Sequence, residues 1–293
     1  TLRRISAEGP GAFYTGSIAQ DIVSEVTQST RNPADLTLKD MASYSAKERT
    51  PLCAPYRQYK ICGMPAPTSG GIGVIQTLGL LENFDLPNME PWSAEAVHLF
   101  AEAGRLVYAD RATYIADPDF SPVPQQGLID KRYLYERAAL INPAGRIEKA
   151  EAGKPPQEGT FSYGPGRDFE RPSTTHISVI DDKGNAVSMT SSIEGAFGSH
   201  LMVRGFLLNN QLTDFSYDAV AEGRTVANRV EGGKRPRSSM APIIVFDENG
   251  EIVAVSGSPG GMSIVPLVTK TLIAMLDWNM TPQEATNLPN VLL

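Results

Sequence analysis

The sequence predicts a layered α/β sheet domain. Apolar residues at helical spacing, such as Ile18, Ile22 and Val26, mark the first half of the chain. Alternating strand patterns follow residue 174, and the stretch "MSIVPLVTKTLIAMLDW" near the end reads as a helix that is apolar on nearly every face. Helices first, strands later and one buried helix are typical of a sheet covered by helices.

The first half reads as helices joined by turns and one hairpin. Residues 8–30 have helical spacing, and "TPLCAPYRQYKICGMPAP" has the pattern of a hairpin punctuated by proline. A glycine-rich loop then opens the apolar helix "TSGGIGVIQTLGLLENF", and Ser93 is placed to cap an amphipathic helix. Residues 143–172 are rich in Gly, Pro, Lys and Glu, so we expect a mobile loop or a processing linker there.

The two cysteines, Cys53 and Cys62, lie in the predicted hairpin. If Arg57 and Gln58 form a two-residue turn, the two cysteines face each other across the strands. A disulfide then fits the geometry without being required by it. We expect two buried thiols as the more common state of such a pair.

Composition excludes several classes of function. The chain has 293 residues, 41% of them hydrophobic and 20% charged, which is ordinary for globular proteins. The net charge of −7 argues against nucleic acid or an anionic membrane surface as the main partner. No apolar run approaches the roughly 20 residues that span a bilayer. Three histidines without CxxC spacing predict no metal site, and "SGGIGVIQ" does not complete a dinucleotide fingerprint, so we expect no cofactor.

The stretch "RPSTTHISVIDDKGNAVSMTSS" predicts a hairpin centred on Lys183. Counting outwards from that turn places Thr174 opposite Ser192, with their Cβ atoms roughly 5 Å apart. The plain interpretation is a pair of hydroxyls on an exposed sheet face. The other is that the chain is cut before Thr174, which then becomes a nucleophile with its own amine as base.

Three further motifs carry polar chemistry, and each has a purely structural alternative. "GSPGG" at residues 257–261 is either a tight strand-to-helix turn or a source of backbone N–H groups for an oxyanion. "KRPRSSM" at residues 234–240 is either a polar loop or a carboxylate site. "LLNNQLTDFS" ends a strand, and its Gln211 and Asp214 could accept hydrogen bonds from an ammonium group.

Taken in order, these motifs resemble the γ-glutamyltranspeptidase family. The resemblance extends over essentially the whole chain through "GPGAFYTGSIA", "ERTPL", "MPAPTSGGI", "ENFDL" and "YADRATYIADPDF". It implies the α+β fold of the N-terminal-nucleophile hydrolases, an αββα four-layer sandwich. It also implies that the chain is a central fragment, because the family has a further N-terminal segment and a C-terminal tail.

The resemblance implies a precursor that cuts itself between Ser173 and Thr174. Residues 1–173 would then be the C-terminal part of the large-subunit region, and residues 174–293 the N-terminal part of the small-subunit region. The two subunits stay together, and the expected location is periplasmic or secreted. The donor would be glutathione or a related γ-glutamyl amide, and the acceptor water, an amino acid or a peptide.

The family's functional positions carry over residue by residue. By resemblance, the catalytic set is Thr174, Ser192, Gly260 and Gly261, and the substrate-binding set is Glu194, Gln211, Asp214, Ser238 and Ser239. Ser192 stands where the family has threonine, and Glu194 where familiar members have asparagine. Because Glu194 alters the ammonium site, a glutaryl or cephalosporin acylase on the same fold is the alternative function. The other alternative is an unprocessed, inactive homologue or fragment. His176 shares the strand face of Thr174, without an assigned role.

Overall fold

The computed structural model describes residues 1–157, 161–167 and 173–291. The helices are α1 (Leu2–Glu8), α2 (Gly11–Tyr14), α3 (Gly16–Thr27), α4 (Leu38–Ser43), α5 (Gly70–Leu81), α6 (Ala94–Tyr114), α7 (Gln125–Leu128), α8 (Lys131–Ala138), α9 (Ile264–Leu276) and α10 (Pro282–Asn287). The strands are β1 (Leu52–Tyr56), β2 (Tyr59–Gly63), β3 (Thr174–Ile180), β4 (Ala186–Ser192), β5 (Met202–Val203), β6 (Phe206–Leu207), β7 (Val220–Ala221), β8 (Arg224–Thr225), β9 (Ile243–Phe246) and β10 (Ile252–Ser256).

The chain folds into two compact units. The smaller unit contains Thr1–Arg49 and Ile193–Gln211, and the larger contains Thr50–Ser192 and Leu212–Leu293. This spatial division differs from the predicted division at residue 174, which concerns processing of a precursor and stays a prediction.

The smaller unit is built on one face of α3. Ile18 and Ile22 lie one turn apart on that helix and pack with Val203 of β5, which fulfils the helical spacing seen in the sequence. Phe13, Val26 and other half-buried apolar side chains close this small core.

The larger unit is organised around a four-stranded antiparallel sheet with the order β1-β2-β9-β10. Its core joins strand residues such as Ile61 and Val245 to α5, α6 and α9. Nearly every residue of α5 is buried, including the polar Gln76 and Thr77, so this helix has no solvent face. Ser93 caps α6 as expected, because its side-chain oxygen accepts from the backbone N–H of Ala96 at 3.3 Å.

The expectation of two free thiols in the first hairpin is wrong, because Cys53 and Cys62 form a disulfide. The Arg57-Gln58 turn pairs β1 with β2 so that the two cysteines are direct cross-strand neighbours. Their Cα atoms are 4.2 Å apart, which is close to the spacing of directly opposite residues in an antiparallel pair. The turn prediction was therefore correct, and the error lay in the redox state assigned to the pair.

The hairpin of β3 and β4 has one polar and one apolar face. Ile177, Val179, Val187 and Met189 share the apolar face, and each is about half exposed. The polar face lies against β10, where Ser188 Oγ donates to the Ser256 carbonyl oxygen at 3.0 Å. This contact ties the start of the predicted small-subunit region to the sheet.

The described part of the expected loop at residues 143–172 is tied to α6 rather than detached. Asp110 is buried on α6 and accepts hydrogen bonds from Gly153 N at 2.8 Å and Tyr133 Oη at 2.7 Å. Arg137 Nη2 donates to Asp110 at 3.4 Å and to the Glu151 carbonyl oxygen at 2.8 Å. Burial raises the pKa of the Asp110 carboxyl, and the nearby Arg137 charge opposes that effect.

No helix in the described ranges is both long and apolar enough to cross a membrane.

The Asp110 network gives a stability prediction. Asp110→Ala removes the acceptor of the Gly153 and Tyr133 hydrogen bonds and leaves Arg137 without its buried carboxylate. Breaking a buried ion pair by removing one partner typically destabilises by about 3–5 kcal/mol. We expect a lower thermal midpoint and faster proteolysis between residues 143 and 157 in the full-length protein. Glu136→Ala, which removes an exposed ion pair with Arg132, is the control, and equal behaviour of the two variants would contradict the prediction.

Candidate active site

Thr174 is the first residue of β3 and pairs with Ser192, the last residue of β4. This register confirms the pairing predicted from the turn. Thr174 Oγ1 donates to Ser192 Oγ at 3.5 Å, and Ser192 Oγ donates to the carbonyl oxygen of Ser173 at 3.1 Å. Two hydroxyls therefore flank the peptide bond between Ser173 and Thr174. A carbonyl that accepts such a hydrogen bond is polarised towards nucleophilic attack.

His176 lies on the same strand face as Thr174 and is held by two hydroxyls. Its Nδ1 is 2.8 Å from Thr190 Oγ1, and its Nε2 is 3.0 Å from Ser178 Oγ. Burial lowers the pKa of His176, which favours the neutral ring near pH 7. The imidazole fills the space beside Gly257, where a Cβ atom would overlap it. His176 thereby connects the hairpin to the glycine-rich segment.

The glycine-rich segment at residues 257–261 joins β10 to α9. Gly260 has φ of +139° and Gly261 has φ of +56°, values that residues with a Cβ atom rarely adopt. Gly261 is buried and begins the short 3-10 helix Gly261–Ser263 that leads into α9. Backbone N–H groups at such a helical start lack partners within the helix, so they suit a developing negative charge.

Ser238 and Ser239 are fixed against the loop that opens α5. Ser69 N donates to the Ser238 carbonyl oxygen at 2.7 Å, and Ser238 N donates to the Pro67 carbonyl oxygen at 3.2 Å. Gly70 allows this approach, because a Cβ atom there would overlap the Met240 backbone. The "PTSGG" and "KRPRSSM" motifs, distant in sequence, therefore form one structural unit.

Arg111 contacts this serine pair, and two further buried cations belong to the "KRPRSSM" segment itself. Arg111 Nη2 donates to Ser239 Oγ at 2.9 Å, and its Nε donates to Ser69 Oγ at 2.8 Å. Arg237 is fully buried and donates to the carbonyl oxygens of Arg111 at 2.8 Å and Ile115 at 3.3 Å. Burial, with the Arg111 charge in addition, lowers the pKa of Arg237.

Burial also lowers the pKa of Lys234, whose Nζ donates to the Ala227 carbonyl oxygen at 2.6 Å.

Asp214 is connected to the serine pair through Asn228. Asn228 is wholly buried, and its Nδ2 donates to the Asp214 carbonyl oxygen at 2.8 Å. Its Oδ1 accepts from the backbone N–H of Arg237, next to Ser238, at 2.9 Å. One amide side chain therefore sets the spacing between the two predicted binding segments.

Glu194 and Gln211 belong to the smaller unit. Glu194 is buried with φ of +69°, a backbone conformation that asparagine adopts more readily than glutamate. Its Oε2 accepts from Asn210 Nδ2, and Asn210 Oδ1 accepts from Gly195 N at 2.8 Å. Gln211 N donates to Asn209 Oδ1 at 3.0 Å.

Arg111 and Asn228 were not among the residues predicted from the sequence. Arg111 follows Val107 by one helical turn, so the signal available was a cation on the buried stripe of α6. Asn228 carries no comparable signal, because its role depends on contacts made after folding. Within residues 1–157, 161–167 and 173–291, no group of three or more His, Cys, Asp or Glu side chains could hold a metal ion.

Because His176 packs against Gly257, substitutions at these two positions should have coupled effects on stability. Gly257→Ala adds a methyl group that the imidazole must leave room for, and overpacking of this kind costs about 1–3 kcal/mol. We expect a lower thermal midpoint for this variant. Gly232→Ala, at a position with open space around it, should change little.

The double variant His176→Ala/Gly257→Ala should lose less stability than the sum of the two single variants. Additive losses, or a Gly257→Ala variant as stable as Gly232→Ala, would contradict this contact.

Comparisons with known proteins find similarity along the whole chain. The family model for gamma-glutamyltranspeptidase matches residues 1–293. The glutathione hydrolase proenzyme of Escherichia coli is 39% identical over 299 residues, covering 99% of this chain and 49% of that protein. The glutathione hydrolase proenzyme of Bacillus subtilis is 38% identical over 301 residues, with the same two coverages. An acylase proenzyme from a Pseudomonas species is 35% identical over 293 residues, covering 99% of this chain and 49% of that protein.

A solved structure shows the fold. Cephalosporin acylase from Bacillus halodurans matches with a TM-score of 0.79 at 23% identity, covering 97% of this chain and 47% of that one. With the family match, this gives the α+β fold of the N-terminal-nucleophile hydrolases, as the family resemblance implied. The chain spans about half the length of the curated relatives it matches. Because the family model covers all 293 residues, the chain belongs to the gamma-glutamyltranspeptidase family.

Proposed function

We propose that the protein is a γ-glutamyl hydrolase and transferase that acts on glutathione and related γ-glutamyl amides. The observation that carries the proposal is the hydroxyl pair around the Ser173 carbonyl. Ser192 Oγ contacts both that carbonyl oxygen and Thr174 Oγ1. Such an arrangement supports attack of a hydroxyl on its own preceding peptide bond.

The first reaction is cleavage of the precursor. Thr174 Oγ1 attacks the carbonyl carbon of Ser173, the C–N bond breaks and an ester forms. The proton lost by the Thr174 hydroxyl is transferred to the Thr174 nitrogen, which becomes a free amine. Ser192 donates to the carbonyl oxygen as negative charge develops on it. Water then hydrolyses the ester. This releases residues 1–173 as the end of a large subunit and leaves Thr174 as the first residue of a small subunit.

The second reaction uses the new N-terminus. The α-amine of Thr174, with a reference pKa of about 8, takes the proton from its own hydroxyl as Oγ1 attacks the γ-carbonyl of the donor. The backbone N–H groups of Gly260 and Gly261 stabilise the oxyanion. The donor amine leaves with a proton, and a γ-glutamyl ester remains on Thr174. Water, an amino acid or a peptide amine then takes the γ-glutamyl group.

Recognition of the donor is assigned to two groups of residues. Ser238 and Ser239 bind the α-carboxylate, and Glu194, Gln211 and Asp214 accept from the α-ammonium group. Support for the first assignment is the cationic surroundings of the serine pair, described above. Support for the second is the chemistry of the three side chains, which supply carboxylate and amide oxygens.

A glutaryl or cephalosporin acylase is the second candidate. The 35% identical acylase proenzyme and the presence of Glu194 favour it. A glutaryl group is a γ-glutamyl group without the ammonium, so the ammonium site separates the two functions.

The location is proposed to be periplasmic or secreted. The Cys53–Cys62 disulfide supports this, because disulfides persist mainly in oxidising compartments. The proposed partners are the small-molecule donor and acceptor and the two subunits of one precursor.

The test is hydrolysis of γ-glutamyl-p-nitroanilide by full-length protein, with glutaryl-p-nitroanilide as comparison. We expect release of p-nitroaniline from the first donor at a higher kcat/KM. Thr174→Ala should abolish it, by roughly 10³-fold or more, because the nucleophile is removed. Thr175→Ala, on the opposite strand face, is the control. No release by protein already cut at Thr174 would overturn the proposal, and preference for the glutaryl donor would favour the acylase.

A second prediction concerns cleavage itself. Ser192→Ala removes the donor to the Ser173 carbonyl oxygen, so self-cleavage should slow on the order of 10²-fold. Ser192→Thr keeps the hydroxyl and should stay near the wild-type rate. Ser191→Ala, which pairs with Thr175 on the other face, is the matched control. Gel electrophoresis of samples taken over time gives the rates. Equal rates for Ser192→Ala and Ser191→Ala would contradict the role of Ser192.

A further inference from the structure

We propose that Arg111 is a positioning residue for donor recognition, which holds the Ser239 hydroxyl so that its hydrogen is directed to the donor carboxylate. The inference rests on the proposed function, in which Ser238 and Ser239 bind that carboxylate. Arg111 does not itself need to touch the donor, because it acts through the serine.

Arg111 makes two side-chain hydrogen bonds from the protein interior, one to each of two serines. Arg111 projects from α6 and is 3% exposed. Its Nε donates to Ser69 Oγ at 2.8 Å and its Nη2 to Ser239 Oγ at 2.9 Å. The rigid guanidinium therefore fixes the distance between the "PTSGG" loop and the serine pair. A lysine ammonium lacks this planar fork and cannot reproduce it.

The direction of each hydrogen bond follows from the donor chemistry. A guanidinium only donates, so Ser69 Oγ and Ser239 Oγ must both accept from Arg111. The Ser69 hydroxyl donates its hydrogen bond to the Ser238 carbonyl oxygen at 2.9 Å. Ser239 keeps its hydrogen for another acceptor.

The Ser238 hydroxyl also accepts a hydrogen bond from the protein. Its Oγ accepts from the backbone N–H of Met240 at 3.2 Å, so it also keeps its hydrogen to donate. Two adjacent hydroxyls, each accepting from the protein, therefore keep a hydrogen that can be donated to a ligand. A carboxylate, which has two acceptor oxygens and no donor, is the ligand that matches this pair.

The charges nearby favour an anion in the same place. Arg111 and the fully buried Arg237 lie close enough for their charges to interact. Lys234, a buried cation of the same "KRPRSSM" segment, faces the carboxylates of Glu231 and Asp117 instead, and Asp117 accepts from Arg235 N at 2.9 Å. The Arg111 guanidinium carbon lies 5.8 Å from the centroid of the Tyr108 ring, which gives Arg111 a cation–π contact as well.

The experiment compares three p-nitroanilide donors on full-length protein. The γ-glutamyl donor has both α-groups, the glutaryl donor has only the carboxylate, and the 4-aminobutyryl donor has only the ammonium. Arg111→Lys should raise KM for the first two by about 10- to 100-fold, as expected for losing a hydrogen bond to a charged ligand. Its kcat, its rate of self-cleavage and its kcat/KM for 4-aminobutyryl should stay within about threefold of wild type, because none involves the carboxylate.

Two further variants separate positioning from general support of the fold. Arg105→Met removes an arginine on the same helix that binds Glu102 and Ile147, and it should not discriminate among the donors. If Arg111→Lys does not fold, Ser69→Ala removes one of the two contacts of Arg111 and should show the same donor selectivity to a smaller degree.

The outcomes are distinct. Selective loss of carboxylate-bearing donors in Arg111→Lys or Ser69→Ala, absent when Ser239→Ala is already present, supports the inference. An equal loss for all three donors overturns it and leaves the proposed function intact. Wild-type protein that is cleaved at Thr174 but hydrolyses none of the donors overturns both.

Discussion

The pairing of β3 with β4 is the constraint on which the account depends. It places the Ser192 hydroxyl within hydrogen-bond reach of both the Ser173 carbonyl oxygen and the Thr174 hydroxyl. A shift of the register by one residue would turn Ser192 to the opposite face and separate the three groups. The side-chain bond from Ser188 to β10 and the packing of His176 on Gly257 hold the hairpin in that register relative to the sheet.

Helix α6 is the second organising element, because its buried polar side chains connect segments that are far apart in sequence. Asp110 binds the segment that precedes the proposed cleavage site, through Gly153. Arg111, the next residue, binds the "PTSGG" loop and the serine pair. One helix therefore contacts both the segment before the cut and the proposed carboxylate site. Burying these charges is costly unless they are paired, which explains why each makes several hydrogen bonds.

Some of these features were predictable from the sequence and others were not. The Thr174–Ser192 pairing followed from one turn, because an antiparallel ladder propagates its register without further information. The hairpin of the cysteines was predicted for the same reason, whereas their disulfide was not, because strand pairing does not fix redox state. Arg111 and Asn228 lay outside the prediction, since a buried polar residue acquires its role from partners that only tertiary structure brings near. The positive φ of Glu194 was equally hidden.

The mass of the denatured full-length protein, measured fresh and after incubation at 37 °C, tests the central claim most directly. We expect two chains that meet between Ser173 and Thr174, the second beginning with a free threonine amine, and a single uncut chain for Thr174→Ala. A folded wild-type protein that stays uncut, or that is cut at another bond, would contradict the assignment of Thr174 as the nucleophile.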